Sequence, residues 1–308
     1  MLDRITSMQA FVRVATLGGF SAAARSLSLS QTMATKHVVA LEERLGVKLF
    51  RRTTRTVTLT EAGRRYLESC ERILAEIEDA EEAAVADHLE PRGLLKLAVP
   101  VVFGTREIAP LLGDFARLHP AVTIDLGLND RVVDLVDEGW DMAVRIGVLK
   151  DSTLTARRLA PCHVLQCASP DYLARRGTPY RIADLAGHDC LGYTLPSPSA
   201  AERWLLGENG EVAVPIQPKL RANNGEALRA AAVAGLGIIS QPTFIVGDDI
   251  RAGRLVPLRL EHPPMGGLGV HAVMPPGRNP PAKVKAFAEF LALRFWPEPL
   301  WDRGLALG

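Results

Sequence analysis

The 308-residue chain has four cysteines, Cys70, Cys162, Cys167 and Cys190, at irregular spacing, which excludes a disulfide framework. It has no run of about 18 apolar residues that could span a bilayer, so no membrane partner is expected. Met1-Leu2-Asp3-Arg4 is not a basic segment followed by an apolar stretch. No secretory leader is expected, and the chain reads as cytosolic. Catalytic signatures are missing as well: there is no Gly-x-Ser-x-Gly elbow, phosphate-binding Walker loop, His-Glu-x-x-His pair or dinucleotide glycine fingerprint. Gly235-Leu236-Gly237 follows helical sequence, the wrong context for a dinucleotide loop. The seven histidines stand singly. Cys162-His163 with Cys167 is the one grouping with metal or redox appeal, but its spacing is not that of a zinc finger and the segment alternates like a strand. No metal, no cofactor and no enzymatic activity are expected.

What is present is an average globular composition, 47% hydrophobic and 23% charged, over a length that suits two or three folding units. The net charge of +1 conceals three regimes. Residues 1–60 carry nine Lys or Arg against three Asp or Glu, residues 61–90 three against ten, and the remaining 218 residues 24 against 22. A basic head, an acidic connector and a neutral body follow one another.

In the head, Ile5, Met8, Phe11, Val12 and Ala15 recur at helical spacing, and Gly18-Gly19 ends that helix. Ser21 sits where an N-cap belongs, with Ala22-Ala23-Ala24 behind it. Ser28-Leu29-Ser30 is a turn, and Ser30 caps a third helix with Met33, His37, Val38, Leu41 and Leu45 on its inner face. Its outer face shows Gln31, Thr32, Thr35 and Lys36. A short capped helix, a turn and a longer helix with polar N-terminal exposure form a helix-turn-helix pattern, in which the second helix lays its first turns against base edges in the major groove. Gln and Lys suit base reading, Ser and Thr bond bases or phosphates, and the Ser21 and Ser30 helix ends offer N–H groups to phosphate. Val57 and Leu59 alternate with Thr56 and Thr58, which suggests a strand, and Arg51, Arg52 and Arg55 cluster at the preceding turn. The head thus reads as a winged helix-turn-helix binding double-stranded DNA.

The run Phe11-x-x-Val14-Ala15-x-x-Gly18-x-Phe20-Ser21-x-Ala23-Ala24-x-x-Leu27, then Ser30-Gln31, Leu41-Glu42-x-x-Leu45-Gly46, Leu49-Phe50-x-Arg52 and Leu59-Thr60-x-Ala62-Gly63, resembles the LysR-type transcriptional regulators. Met33-Ala34-Thr35 departs from the small-Val-Ser run common in the recognition helix of that family.

From Thr60 to about His88 only Gly63 interrupts helical sequence. Twenty-eight residues at 1.5 Å each give about 42 Å. Leu67, Cys70, Leu74, Ile77 and Ala84 form a narrow apolar seam among acidic residues. A seam this long is expected to want a partner helix rather than its own head, with Cys70 a small residue in it. An antiparallel dimerisation helix, which the resemblance also implies, would match two heads to the two half-sites of an inverted repeat. The resemblance favours a homotetramer over a homodimer.

Beyond Pro91 and Gly93 the periods alternate. Strands are expected at Leu94–Val99, Val122–Leu128 and Met142–Ile146, with helices over 105–118 and Arg131–Glu138 between them. Further strands are expected at 162–168, 190–194, 211–216, 219–222, 236–240, 254–260 and 268–274, and helices at 170–176, 225–234, 243–252 and 282–296. Two α/β lobes with a ligand in the crevice at the strand carboxyl ends are the default for this pattern. The resemblance implies an effector domain like the periplasmic binding proteins, with the chain crossing between lobes twice. The expected domains are therefore 1–60 for DNA, 61–90 for dimerisation and 91–308 for effector binding, with lobe I over about 91–163 and 268–308 and lobe II over about 164–267.

The crevice is expected to draw on Val101, Val102, Phe103 and Thr105 after the first strand, Asn129 and Asp130 after the second, and Arg145 on the third. The second lobe would add Thr194, Asn223, Asn224 and Gln241. Such mixed donors suggest a small organic acid or an aromatic effector, although each residue is equally suited to be a cap or turn. The expected function is sequence-specific, effector-controlled transcriptional regulation, with the DNA bend and RNA polymerase access as its output. The alternatives are a small-molecule-binding or enzymatic α/β protein whose head serves assembly, and a constitutive DNA-binding protein.

Overall fold

A computed structural model describes residues 2–52, 57–84, 90–149, 151–195, 198–208, 210–276 and 280–305. The chain divides into two compact units, Met1–Leu89 and Glu90–Gly308.

The first unit opens with helices α1 (Arg4–Leu17), α2 (Phe20–Ser26) and α3 (Gln31–Leu45). Strands β1 (Phe50–Arg52) and β2 (Val57–Leu59) pair antiparallel with Phe50 opposite Leu59, and α4 (Glu61–Ala84) follows. Asp3 caps α1 by accepting from the Thr6 N–H at 2.8 Å. The inward stripe of α1 is Ser7, Met8, Ala10, Phe11 and Val14, while Ile5 is exposed. That is a one-residue rotation from the expected face, because small and polar residues are tolerated where α1 meets α3. The Ser7 hydroxyl donates to the Asp3 carbonyl at 2.6 Å and meets His37 Nδ1 on α3 at 2.9 Å.

On α3 the buried residues are Ala34, His37, Val38, Leu41 and Glu42; Leu45 is exposed and Met33 only half-buried. Glu42 is the informative one. The residue is only 3% exposed, and Oε1 accepts from the Leu49 and Phe50 N–H groups at 3.0 and 3.3 Å while Oε2 takes the Lys48 ammonium at 2.8 Å. The chain entering the wing is thereby tied to the third helix. Burial pushes the Glu42 carboxyl up, but these donors outweigh it and hold the pKa below the usual carboxylate value.

Thr60 caps α4, accepting from Gly63 N–H at 2.9 Å and donating to the Lys48 carbonyl at 2.7 Å. A Cβ on Gly63 would lie 2.1 Å from the Leu49 carbonyl oxygen, so only glycine lets α4 pass this close to the wing. The start of α4 does bury itself on its own head, contrary to expectation. Cys70 is fully buried in the head core with Phe11, Leu41 and Phe50, and Tyr66, Leu67, Ile73 and Leu74 pack against that core. Cys70 is therefore a head residue, its thiol pushed up to about 11 by burial.

The second unit contains β3 (Gly93–Val99), α5 (Val101–Phe103), α6 (Leu112–Leu118), β4 (Val122–Leu128), β5 (Met142–Gly147), β6 (Thr155–Pro161) and β7 (Val164–Ala168). It continues with α7 (Pro170–Arg176), β8 (Cys190–Tyr193), β9 (Arg203–Leu206), β10 (Val212–Pro215), β11 (Pro218–Ala222), α8 (Gly225–Val233), β12 (Ile239–Pro242), α9 (Thr243–Arg251), β13 (Val256–Pro257), β14 (Gly269–Met274) and α10 (Ala282–Phe295). One sheet has the order β4-β3-β5-β14-β6, with β4, β3 and β5 parallel and β14 antiparallel to both its neighbours. The other half holds the sheet β12-β7-β13, the parallel pair β11-β8 and the hairpin β9-β10, and a bridge from Cys190 to Ile238 joins β8 to the start of β12. The chain passes from the first half to the second between Pro161 and Val164 and returns between Pro257 and Gly269. The two crossings lie side by side, with Cys162 N–H donating to the Leu268 carbonyl at 3.1 Å.

Four expectations for this unit need correction. Residues 131–138 form a turn, because side-chain acceptors capture the backbone donors a helix would use: Asp134 takes the Val136 and Asp137 N–H groups, and Glu138 takes the Asp134 N–H and the Arg131 guanidinium. The helix expected from 105 begins at Val101 and changes pitch at Gly104–Ile108 and Ala109–Leu111, where Pro110 has no N–H to donate. Strand 254–260 shrinks to Val256–Pro257. Strands β6 and β9 were not legible, since Thr155-Ala156-Arg157-Arg158 offers no apolar alternation at its exposed end.

Replacing Glu42 with Ala leaves the Leu49 and Phe50 amides unpaired. The head should lose about 2–3 kcal/mol, seen as a fall of roughly 10 °C in the melting of this unit followed by the NMR signals of Phe11 and Phe50. Because the folded pKa is depressed, this contribution is present above the ordinary value and fades as pH falls through the folded one. The variant should therefore show a flatter acid limb than the parent.

Candidate functional site

Two surfaces hold the residues of interest, one in each unit. On the first unit, Ser30 caps α3 by accepting from the Met33 N–H at 3.2 Å, which fixes where the helix starts and which residues face out. Gln31, Thr32 and Lys36 are exposed. Thr35 is half-buried, and its hydroxyl donates to the Gln31 carbonyl at 2.9 Å, leaving lone pairs free to accept. These four line a shallow groove of about 560 Å³ with Leu2, Val39, Ala40 and Glu43. The latter four were missed, yet 31, 32, 35, 36, 39, 40 and 43 are one helical stripe. The stripe ran on past the polar residues that drew attention to it.

Ser21 is the second residue of α2, with Gly19 at the cap, so the expected capping serine is an exposed first-turn residue instead. Arg51 is exposed on β1, and Arg52 ends that strand opposite Val57. Arg55 lies outside the described residues.

On the second unit, the carboxyl ends of β3, β4, β8, β11 and β12 carry most of the expected crevice residues. Asp130 Oδ1 accepts from the Val101 N–H at 2.9 Å, and Thr105, exposed, donates to the Val101 carbonyl. Asn129 is exposed and accepts from the Arg131 N–H. Thr194 N–H donates to the Ala222 carbonyl at 2.9 Å, which brings the ends of β8 and β11 together, with Asn223 exposed beside them. Tyr193, at the end of β8, was not expected. Burial and then the Asp130 carboxylate push its phenol up to about 12.

Four expected residues do other work. Phe103 is fully buried, its ring 5.1 Å from Phe244 and 5.3 Å from Trp301, and Val102 is buried beside it. Asn224 is the cap of α8, accepting from the Glu226 and Ala227 N–H groups. Arg145 donates to the Val133 carbonyl at 3.1 Å under the 131–139 turn. Phe103 and Val102 are thereby taken up by packing, while Asn224 and Arg145 each meet a backbone demand nearby.

One flank of the body is tied by charge. Arg106, just after α5, reaches Glu226 on α8 at 2.5 Å and Asp248 on α9 at 3.4 Å. Arg229 continues the ladder to Glu226 and to buried Asp249, which also holds Arg254. Beside it a cavity of about 210 Å³ is lined by Glu107, Thr243, Asp248, Arg251 and Trp301 among others. Burial pushes the Glu107 carboxyl up to about 7, the Arg106 charge partly opposing this. Among the described residues no three His, Cys, Asp or Glu side chains converge as metal ligands, and buried Cys162 and Cys167 have thiols raised by burial.

Comparison with known proteins came out as follows. Residues 5–64 match the model of the bacterial regulatory helix-turn-helix protein, lysR family, and residues 88–296 that of the LysR substrate binding domain. The HTH-type transcriptional regulator CrgA of Neisseria meningitidis serogroup B is 38% identical over 253 residues, 82% of this chain and 83% of that protein. The HTH-type transcriptional regulator DmlR of Escherichia coli K12 is 32% identical over 294 residues, covering 96% and 95%. The solved structure of CrgA, a LysR-type transcriptional regulator, superposes with a TM-score of 0.61 at 34% identity over 94% of this chain and 98% of that one.

Glu107 keeps its proton in the folded chain up to about pH 7, whereas the unfolded chain releases it near the ordinary 4.5. Stability should therefore fall as pH rises between these values and stay low above them. Glu107→Gln should raise the melting temperature at pH 8 by the equivalent of up to about 2 kcal/mol, discounted for partial exposure, and by little at pH 4.5. Calorimetry at the two pH values checks this.

Proposed function

Because the chain belongs to the LysR family of transcriptional regulators, carrying both its DNA-binding and its substrate-binding domain, we propose that the outward stripe of α3 reads an inverted-repeat operator as one half of a symmetric pair. The protein is a DNA-binding transcriptional regulator with an effector-binding domain. The observation that carries the reading of the site is the clean division of α3: Ala34, His37, Val38, Leu41 and Glu42 are locked into the head, while Gln31, Thr32, Thr35 and Lys36 have no inward role.

Gln31 and Lys36 supply donors to purine edges, Thr35 keeps an acceptor, and Val39 and Ala40 offer apolar contact to thymine methyls. Ser21, Ser30, Arg51, Arg52 and Arg55 position the head on phosphates. The far half of α4 pairs with a second chain, as homodimer or tetramer. A small-molecule effector sits at the carboxyl ends of the strands that carry Val101, Thr105, Asn129, Asp130, Thr194 and Asn223, between lobes bounded near 161–165 and 264–270. By favouring one quaternary arrangement by about 1–3 kcal/mol it resets operator bend and RNA polymerase access. The protein acts in the cytoplasm and is not an enzyme.

The test is selection of sheared genomic fragments by the full chain at about 150 mM salt. Enrichment of a few intergenic fragments with a two-part inverted repeat is expected; uniform recovery would overturn the reading. On the selected operator, Arg51→Ala should weaken every sequence alike and lower the salt slope by about one. Gln31→Ala should instead relax base preference at one position per half-site by about 1–3 kcal/mol, read by repeating the selection.

A further inference from the structure

A row of three basic side chains crosses the five-stranded sheet of the second unit. His271 on β14 stands directly opposite Arg145 on β5 and Arg158 on β6. Directly opposed side chains leave a sheet on the same face, so the three form one row across three strands. The outer strands of such a trio lie about 10 Å apart, within the joint reach of two arginines. On this face the preceding row, Ala143 opposite Val273, is packed with Leu135, Trp140 and Leu154. The following row is bare, because Gly147 lies opposite Gly269. A Cβ on Gly147 would meet nothing within 4 Å, and its φ of 138° suits glycine. Over Gly269 the imidazole and a guanidinium come together: a Cβ there would lie 2.8 Å from His271 Nε2 and 3.2 Å from Arg158 Nε. The sheet thus offers a floor of bare backbone with basic groups along one side.

Among the described residues nothing neutralises this row. Arg145 gives an N–H to the Val133 carbonyl and Arg158 gives one to the Leu268 carbonyl at 3.4 Å, which engages part of each fork and leaves its charge. No carboxylate among the described residues pairs with either. Elsewhere in this unit Arg106, Arg131, Arg229 and Arg254 are each held by Asp or Glu. Arg158 is exposed, while Arg145 and His271 are half-buried. His271 Nδ1 is buried without a hydrogen-bond partner. Burial and then the Arg158 charge push the His271 pKa down, with the Arg145 and Gly269 carbonyls opposing this less strongly. Like charges side by side repel, and an anion on the floor replaces that repulsion with attraction. Two guanidiniums balance two negative charges, so a dianion suits the row and a monocarboxylate leaves half its charge unpaired. A tetrahedral oxyanion also has acceptors for both guanidinium forks and for Nε2 at once.

We propose that Arg145, His271 and Arg158 bind a phosphate group over Gly147 and Gly269, at a second small-ligand site in which the crevice residues Val101, Thr105, Asn129 and Asp130 take no part. Free phosphate or a small phosphate ester carries the group. The site adjoins the crossing between the halves, since the Leu268 carbonyl that takes Arg158 also takes the Cys162 N–H. It stands independently of the effector reading of the crevice.

Isothermal titration and proton NMR on the full chain test it at about pH 8, where phosphate and its esters carry close to two charges. The probes are inorganic phosphate, glycerol phosphate and acetate. At least one phosphate probe should bind at least tenfold more tightly than acetate, shift the His271 imidazole signals and raise their titration midpoint. Whichever of the two binds more tightly identifies the source of the group, and either bears out the site. Arg158→Gln should weaken binding at least tenfold. Arg157→Gln removes the same charge from the other face, opposite Ala272, and should leave binding within twofold. Melting temperatures without phosphate check that both variants are folded. If Arg158→Gln melts lower, Arg158→Lys takes its place and should weaken binding at least threefold, because the ammonium keeps the charge and loses the fork. No phosphate binding, equal affinity for acetate, unmoved His271 signals, or equal losses at positions 157 and 158 each overturns the proposal. Phosphate held by the basic head alone leaves the His271 signals unmoved, and so counts against it.

Discussion

The body of this protein is organised by the demand that its chain pass between two sheets and come back. Both crossings run side by side and are joined by the hydrogen bond from Cys162 to Leu268. The chain end then returns to the same place: Asp302 accepts from or pairs with His163 at 3.0 Å, and Trp301 enters the ring cluster of Phe103, Phe244 and Phe295. Helix α9 starts from the crossing too, through Thr243 N–H on the His163 carbonyl. Within each half the strand ends are drawn together as well, by Asn129 N–H on the Val99 carbonyl for β4 and β3 and by Thr194 N–H on the Ala222 carbonyl for β8 and β11.

The same fastening limits what a ligand can do. Phe103 and Phe244 bring the two halves into one hydrophobic core, and the ladder from Arg106 through Glu226 and Arg229 to Asp249 braces a second line of contact. Two halves joined by a shared core move as packed bodies with discrete alternatives, not as freely hinged lobes. A ligand shifts such bodies only by selecting among these alternatives, and the energy it must supply is its difference in affinity for them.

In the head, the corresponding constraint is on α3, which must be rigid on one side and bare on the other. Glu42 meets it. By gathering the Leu49 and Phe50 amides it makes the wing an extension of the helix that carries Gln31 and Lys36, so the cations of β1 and the stripe of α3 are held in one frame. A buried carboxylate is costly, and it is tolerated here because two backbone donors and an ammonium satisfy it together.

The head was legible from its sequence because its determinants are local. Ser30 and Thr60 cap helices three residues away, Gly18 and Gly46 end them in left-handed turns, and the 3.6-residue period marks which face is wet. The order of strands and helices in the body was legible for the same reason, and the family resemblance gave it an architecture. What tertiary structure decided was the use to which each marked residue is put. Nothing within a few residues of Phe103 says that Phe244 and Trp301 will close over it. Arg145 reads as unattached until the 131–139 turn brings the Val133 carbonyl to its guanidinium. Arg106 and Glu226 stand 120 positions apart. Caps, turns and periods are written in the sequence because they depend on neighbours along the chain. The burial and pairing of a side chain depend on neighbours in space, and only the folded arrangement supplies those.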